Sequence, residues 1–174
     1  MGNEREERER TGGCPFVRGT MATTAQVKSL LIGKFSKCPL PLYRIQAGKG
    51  VKLRDYDKQM ALNRRSFDYT LRDGLIQPMT ASEFFEGPNG MSLRPGGPVL
   101  GEVIANFRGN VIYCIPEGFE FPDDVILFHE HTDHYSLQTK VPIKPSALEQ
   151  KFTRLMEQCE LLTKDDYYRR FPLK

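Results

Sequence analysis

The sequence predicts an α+β domain built on antiparallel strands, and three observations carry that expectation. Three β-prone runs, Val111–Ile115, Val125–Phe128 and His134–Gln138, follow one another without crossover helices between them, which favours antiparallel pairing over a doubly wound parallel sheet. A single amphipathic pattern then closes the chain, with Leu148, Phe152, Leu155, Met156, Cys159 and Leu162 at helical spacing. No internal repeat is visible.

In chain order, residues 1–25 hold the mixed-charge run Glu4–Arg10, Gly12-Gly13 and the segment Thr20–Thr24. Such a composition buries too little apolar area to offset the entropy of ordering, so a disordered polar tail is expected, followed by one domain over residues 26–174. Met21 offers an alternative start that leaves that domain intact. Pro39–Ile45 reads as the first strand, its prolines tolerated at the strand start. Between Asp55 and Arg72 the scattered apolar residues Met60, Leu62, Phe67 and Leu71 fit a short helix. Asp73-Gly74 marks a turn, and the Gly/Pro-rich stretch from Gly87 to Gly101 reads as a long functional or mobile loop around Met91-Ser92-Leu93. Pro116-Glu117-Gly118 ends the strand at Ile115, and Phe121–Asp124 turns the chain into the next. Ser146 and Glu149 have capping-box spacing, placing the final helix over residues 146–163.

Composition excludes several classes. The 174 residues carry 25 basic and 22 acidic side chains, a net charge of +3 without the clustered basic face that nucleic acid demands. No apolar run approaches the roughly 18 residues of a membrane span. Cys14, Cys38, Cys114 and Cys159 show no Cys-x-x-Cys pairing and no secretion signal precedes them, which predicts free thiols in a reducing, cytoplasmic setting. A myristoylation reading of Met1-Gly2 fails where Glu6 replaces the required Ser or Thr.

Candidate chemistry is sparse. All three histidines lie in His129-Glu130-His131-Thr132-Asp133-His134, and in an extended chain His129, His131 and Asp133 share one face as a potential divalent-metal set. A polar hairpin end explains the same residues, and no second ligand group stands elsewhere. Arg44 at the end of an apolar strand must snorkel or meet an anion, for which a pyrophosphate is a natural bidentate partner and a surface carboxylate an equally ordinary one. Gly90-Met91-Ser92 lies among glycines that permit close backbone approach to a ligand. Arg64-Arg65 and Tyr167–Arg170 read as basic-aromatic surface clusters. Nucleophile-elbow, phosphate-loop and dinucleotide fingerprints are absent from the sequence.

Several segments in fixed order nevertheless resemble a known family: Leu42-Tyr43-Arg44, Asp73–Pro78, a Gly-rich loop ending in Met91-Ser92, Val111–Gly118, Phe121–Asp124 and His134–Leu137. Over residues 38–160 they are similar to the ADP-ribosyltransferase-like toxin domain of the type VI secretion exported effector two family. The resemblance implies two small antiparallel sheets packed around an NAD cleft with flanking helices. It implies an enzyme that breaks the nicotinamide–ribose bond of NAD and passes ADP-ribose to an unknown macromolecular acceptor or to water. It also implies toxicity in a cytosol and an inhibitory immunity partner.

Carried onto this chain, the resemblance makes Arg44 the residue that grips the NAD phosphates, with Tyr43, Gly90, Met91 and Asn110 beside the cofactor. Ser92 orients the nicotinamide ribose or the catalytic side chain, and the His134-Tyr135 pair lines the cleft. Two departures stand out. Where related toxins carry a Glu-containing pair before the strand beginning at Val111, this chain has Arg108-Gly109-Asn110, so Glu117, Glu120 or Glu130 would have to reach the cleft from elsewhere. Met91 replaces a small hydroxyl residue. The missing carboxylate leaves open a catalytically weak domain that binds NAD or a protein, and the His129-His131-Asp133 set leaves open a metal-binding protein.

Overall fold

The computed structural model describes residues 30–79, 87 and 89–173, so the expected polar tail, with Cys14 and Met21, lies outside the described residues. The strands are β1 (Gly33–Phe35), β2 (Leu42–Gln46), β3 (Met91–Pro95), β4 (Val111–Ile115), β5 (Val125–His131), β6 (His134–Thr139) and β7 (Glu160–Leu162). Helices α1 (Tyr56–Ala61), α2 (Pro98–Asn106), α3 (Pro145–Met156) and α4 (Lys164–Arg170) complete the architecture. The four strands expected from sequence are β2, β4, β5 and β6, and the α+β class is as expected.

All seven strands form one continuous antiparallel sheet in the order β1-β5-β6-β3-β2-β4-β7, where two separate sheets were expected. The reason is β3. Its first three residues, Met91, Ser92 and Leu93, pair with Leu137, Ser136 and Tyr135 of β6, while Arg94 and Pro95 pair with Tyr43 and Leu42 of β2. One strand thus hands the hydrogen-bond ladder from one half of the sheet to the other. Gly90 permits the approach, since a Cβ there would collide with the Leu137 carbonyl oxygen.

Period-two alternation divides the apolar residues between two cores. Leu42, Met91, Leu93, Tyr113, Ile115, Leu127 and Leu137 pack with Leu148, Phe152, Leu155 and Met156 of α3. The alternate residues Tyr43, Ile112 and Cys114 join Leu162, Leu100 and Ile104 of α2, and Tyr167 of α4. Both α2 and α4 were missed in the sequence. Pro98 punctuates an apparent loop but in fact occupies the first turn of α2, where its missing N–H costs nothing. Tyr167 belongs to a basic-aromatic run yet is fully buried, its hydroxyl bonded to both the N–H and the carbonyl of Gly97.

The final helix differs from its expected span. It ends at Met156, leaving Cys159 in a turn and Leu162 in β7. Its first residue is Pro145 and its cap is Lys144, without a side-chain cap. Glu149 makes no capping box with Ser146; its Oε1 instead accepts from the backbone N–H of Leu53 at 2.8 Å. The capping box in this region belongs to α4, between Thr163 and Asp166. The Asp73-Gly74 turn is as expected, both residues having positive φ within the Arg72–Leu75 bridge. Cys38, Cys114 and Cys159 are free thiols, and burial pushes Cys38 up to about 11 and Cys159 up to about 12.

Candidate active site

The floor of the site is a buried charge triad. Arg44 leaves β2 with its side chain 6% exposed and forms a two-pronged pair with Asp68, Nη1 to Oδ1 at 2.6 Å and Nη2 to Oδ2 at 2.9 Å. Arg54 closes on the same carboxylate from the other side through Nε and Nη2, at 2.8 and 2.9 Å. Backbone N–H groups of Arg54 and Ser92 add to it at 2.8 and 3.3 Å. Burial alone would raise the pKa of Asp68, but the Arg44 charge and the donors of both arginines overcome it and hold the carboxyl far below the usual carboxylate range. Arg44 also donates to the carbonyls of Ser92 and Lys52, each at 3.2 Å, tying β3 and the 50–53 segment to β2.

Above this floor opens a cleft of about 580 Å³. Its lining holds Arg44, Lys52, Arg54, Arg64, Arg65 and Arg94, and among the described residues no carboxylate. Arg64 and Arg65 stand just past α1, where Asn63 adopts a positive φ of 55° and turns the chain. The floor carries two buried donors without partners, Arg44 Nε and Gln46 Nε2. Such a cleft, rich in donors and net cationic, is built for an anion.

Ser92, His131 and His134 line the same cleft. Ser92 reaches it because its β3 neighbours Met91 and Leu93 point into the α3 core and alternation sends Ser92 the other way. His134 begins β6, and its Nδ1 lies 2.6 Å from Oε2 of Glu130, whose side chain is wholly buried. The other Glu130 oxygen, Oε1, is buried without a partner. The His131 ring stacks on His134 with centroids 5.1 Å apart and planes 9° apart. Burial, then the His134 charge, lowers the pKa of His131.

Arg44, Ser92 and His134 therefore meet on one cleft, and several other expected residues do not. The fork of Arg44 is consumed by Asp68, so it underlies the cleft instead of offering a free guanidinium. Tyr43 borders the cleft, but its ring packs edge-on against Tyr167 and Phe171 in the second core. Met91 is fully buried in the α3 core, and Tyr135 faces that core too, stacked on His129 at 4.1 Å. Gly90 serves the close β3–β6 approach. Asn110 accepts from the Lys164 N–H at 2.9 Å and so satisfies the start of α4.

The expected metal set also disperses. His129 turns to Tyr135 and the Thr132 carbonyl, and Asp133 pairs with Arg94. The grouping with ligand atoms within 4.8 Å of one another is instead Glu130, His131 and His134. Glu120 is spent on Lys37 at an exposed pair and Glu117 is exposed, which leaves Glu130 as the one of the three carboxylates in touch with a cleft residue. Sequence reasoning missed Asp68 and Arg54, because no periodicity or motif marks a carboxylate that two distant arginines will share.

A family model described as Tse2 ADP-ribosyltransferase toxin matches residues 41–167, a span that contains every residue lining the cleft. No curated protein and no solved structure matches the chain.

Proposed function

The chain belongs to the Tse2 ADP-ribosyltransferase toxin family, and on that premise we propose that it cleaves the nicotinamide–ribose bond of NAD in this cleft and passes ADP-ribose to a macromolecular acceptor or to water. The observation that carries the reading is the convergence of six cationic side chains with Ser92 and His134 on one cleft whose described lining holds no carboxylate. A dinucleotide brings two phosphates, and the exposed Arg64 and Arg65 are the cleft guanidiniums placed to meet them, while Arg54 stays on Asp68. The buried donors Arg44 Nε and Gln46 Nε2 fit an anionic group in the same place. Arg44 acts beneath them, fixing β2, β3 and Asp68 in register. Ser92 and His134 stand on the neighbouring strands to orient the ribose and the acceptor, and positioning of this kind supplies much of the barrier reduction. The reading further places the action in a cytosol and implies an inhibitory partner for the producing cell. Among the described residues no helix is long and apolar enough to cross a membrane.

Purified protein with NAD should release nicotinamide, and a combined Arg64→Ala, Arg65→Ala variant should raise KM roughly tenfold or more, about 1.4 kcal/mol of lost binding. Ser92→Ala should lower kcat by a similar factor. Absence of release with and without a cell extract would sink the enzymatic reading. A second reading, NAD binding without turnover, is favoured by one observation: among the described residues no carboxylate lines the cleft where a sugar cation would form. NAD affinity in the absence of nicotinamide release would select it.

A further inference from the structure

Resting on the NAD reading above, we propose that Glu130 and His134 form a positioning residue and a general base, and that the ADP-ribose acceptor is therefore a group that must lose a proton to react, the O–H of water or an O–H or N–H of a macromolecule. The base pair is unassigned by any motif, because Glu130 lies in β5 and His134 opens β6 across a two-residue turn.

The geometry specifies the tautomer. In the neutral ring, a fully buried carboxylate 2.6 Å from Nδ1 takes the Nδ1 proton in a hydrogen bond, which leaves the lone pair on Nε2, across the ring. His134 lines the cleft, and the parallel His131 ring and the antiparallel pairing of His131 with His134 restrict its rotation. Among the described residues of this hairpin end, Asp133 pairs with Arg94, and His129 stacks on Tyr135 with its Nε2 at the Thr132 carbonyl. Burying Glu130 with Oε1 unsatisfied costs stability, and a structural role at a hairpin end does not require a carboxylate there.

The chemistry balances with the groups present. The bond from the ribose anomeric carbon to the nicotinamide nitrogen breaks, and nicotinamide leaves neutral with the electron pair. The acceptor oxygen or nitrogen donates a lone pair to the anomeric carbon, and its proton passes to His134 Nε2. The resulting imidazolium is held by Glu130 until it loses the proton to solvent. A base is needed only where the acceptor must lose a proton. Carboxylate and thiolate acceptors need none, so the pair points to an acceptor that must shed a proton, an O–H or an N–H.

The test uses the full chain, with Glu130→Gln as an isosteric variant and His134→Gln beside it, both checked for wild-type circular dichroism and melting. At saturating NAD both variants should lower kcat at least tenfold while the NAD dissociation constant stays within about twofold. Azide, a nucleophile with no proton to lose, should restore turnover in both variants far more than it accelerates the wild type. Imidazole nitrogen NMR of the wild type should show His134 protonated at Nδ1. An Nε2-protonated ring, a Glu130→Gln kcat equal to wild type, or azide acceleration equal in all three proteins would each overturn the base assignment. A wild type that releases no nicotinamide with any acceptor overturns the NAD reading itself, and the base role with it.

Discussion

Asp68 is the side chain on which the cleft floor turns, because a single buried carboxylate answers two guanidiniums and two backbone N–H groups. Removing its charge strands Arg44 at 5% exposure, and breaking a buried pair of this kind costs about 3–5 kcal/mol. Asp68→Asn should lose about that much in urea unfolding at neutral pH. The pH dependence has a definite sign. The folded-state pKa of Asp68 is depressed, so its contribution is complete above the unfolded value of about 3.9 and declines as pH falls below that toward the folded value. The stability gap between wild type and Asp68→Asn should therefore be constant from pH 5 to 7 and narrow below about pH 4. A gap that stays flat to pH 2 would show that Asp68 does not carry the charge assigned to it. At this scale Ser92 and His134 were legible through family resemblance, whereas Asp68 was not, since its role arises from burial and from partners 24 and 14 residues away.

Segments outside the strand ladders are positioned by side-chain acceptors from their neighbours. The 50–53 segment, which leads into Arg54, has no strand partner, and its N–H groups go to side chains: Val51 to Thr153 Oγ1 at 2.9 Å and Leu53 to Glu149 Oε1 at 2.8 Å on α3, Gly50 to the Tyr113 hydroxyl and Lys52 to Gln46 Oε1. Glu149→Ala should leave the Leu53 N–H unpaired and cost about 1–3 kcal/mol. Amide exchange at Leu53 should accelerate before that of the β4 core, and unchanged Leu53 protection would refute the assignment. This contact also explains a misreading. Ser146 and Glu149 have capping-box spacing, but the tertiary donor outcompetes the local one, and Pro145 supplies the start of α3 without a cap. Strands with β-branched runs were legible because alternation and composition agree in them. Helix α2 was not, because its Gly97-Pro98 start looks like a loop until the residues beyond it are seen to pack on Tyr43 and Ile112.

For the whole molecule, class and strand pairing followed from order and spacing, but the count of sheets did not, since it depends on which two neighbours β3 chooses. The joined sheet makes the cleft part of one cooperative unit, so ligand binding should register as global stabilisation. NAD at about 100 times its dissociation constant should add about 2.7 kcal/mol, a rise of roughly 5–10 °C in melting temperature for a domain of this size. The rise should shrink with added salt, because the cleft attracts the phosphates by net positive charge. A salt-independent shift would count against that attraction. The sheet order has another consequence. Its two outermost described strands, β1 and β7, are the shortest, three residues each, and β7 carries the Glu160–Arg170 ion pair on its flank. A neighbouring copy thus finds only brief, charge-flanked templates for strand addition. Among the described residues the sheet therefore ends in its two smallest pieces, which shortens the backbone ladder open to association between copies.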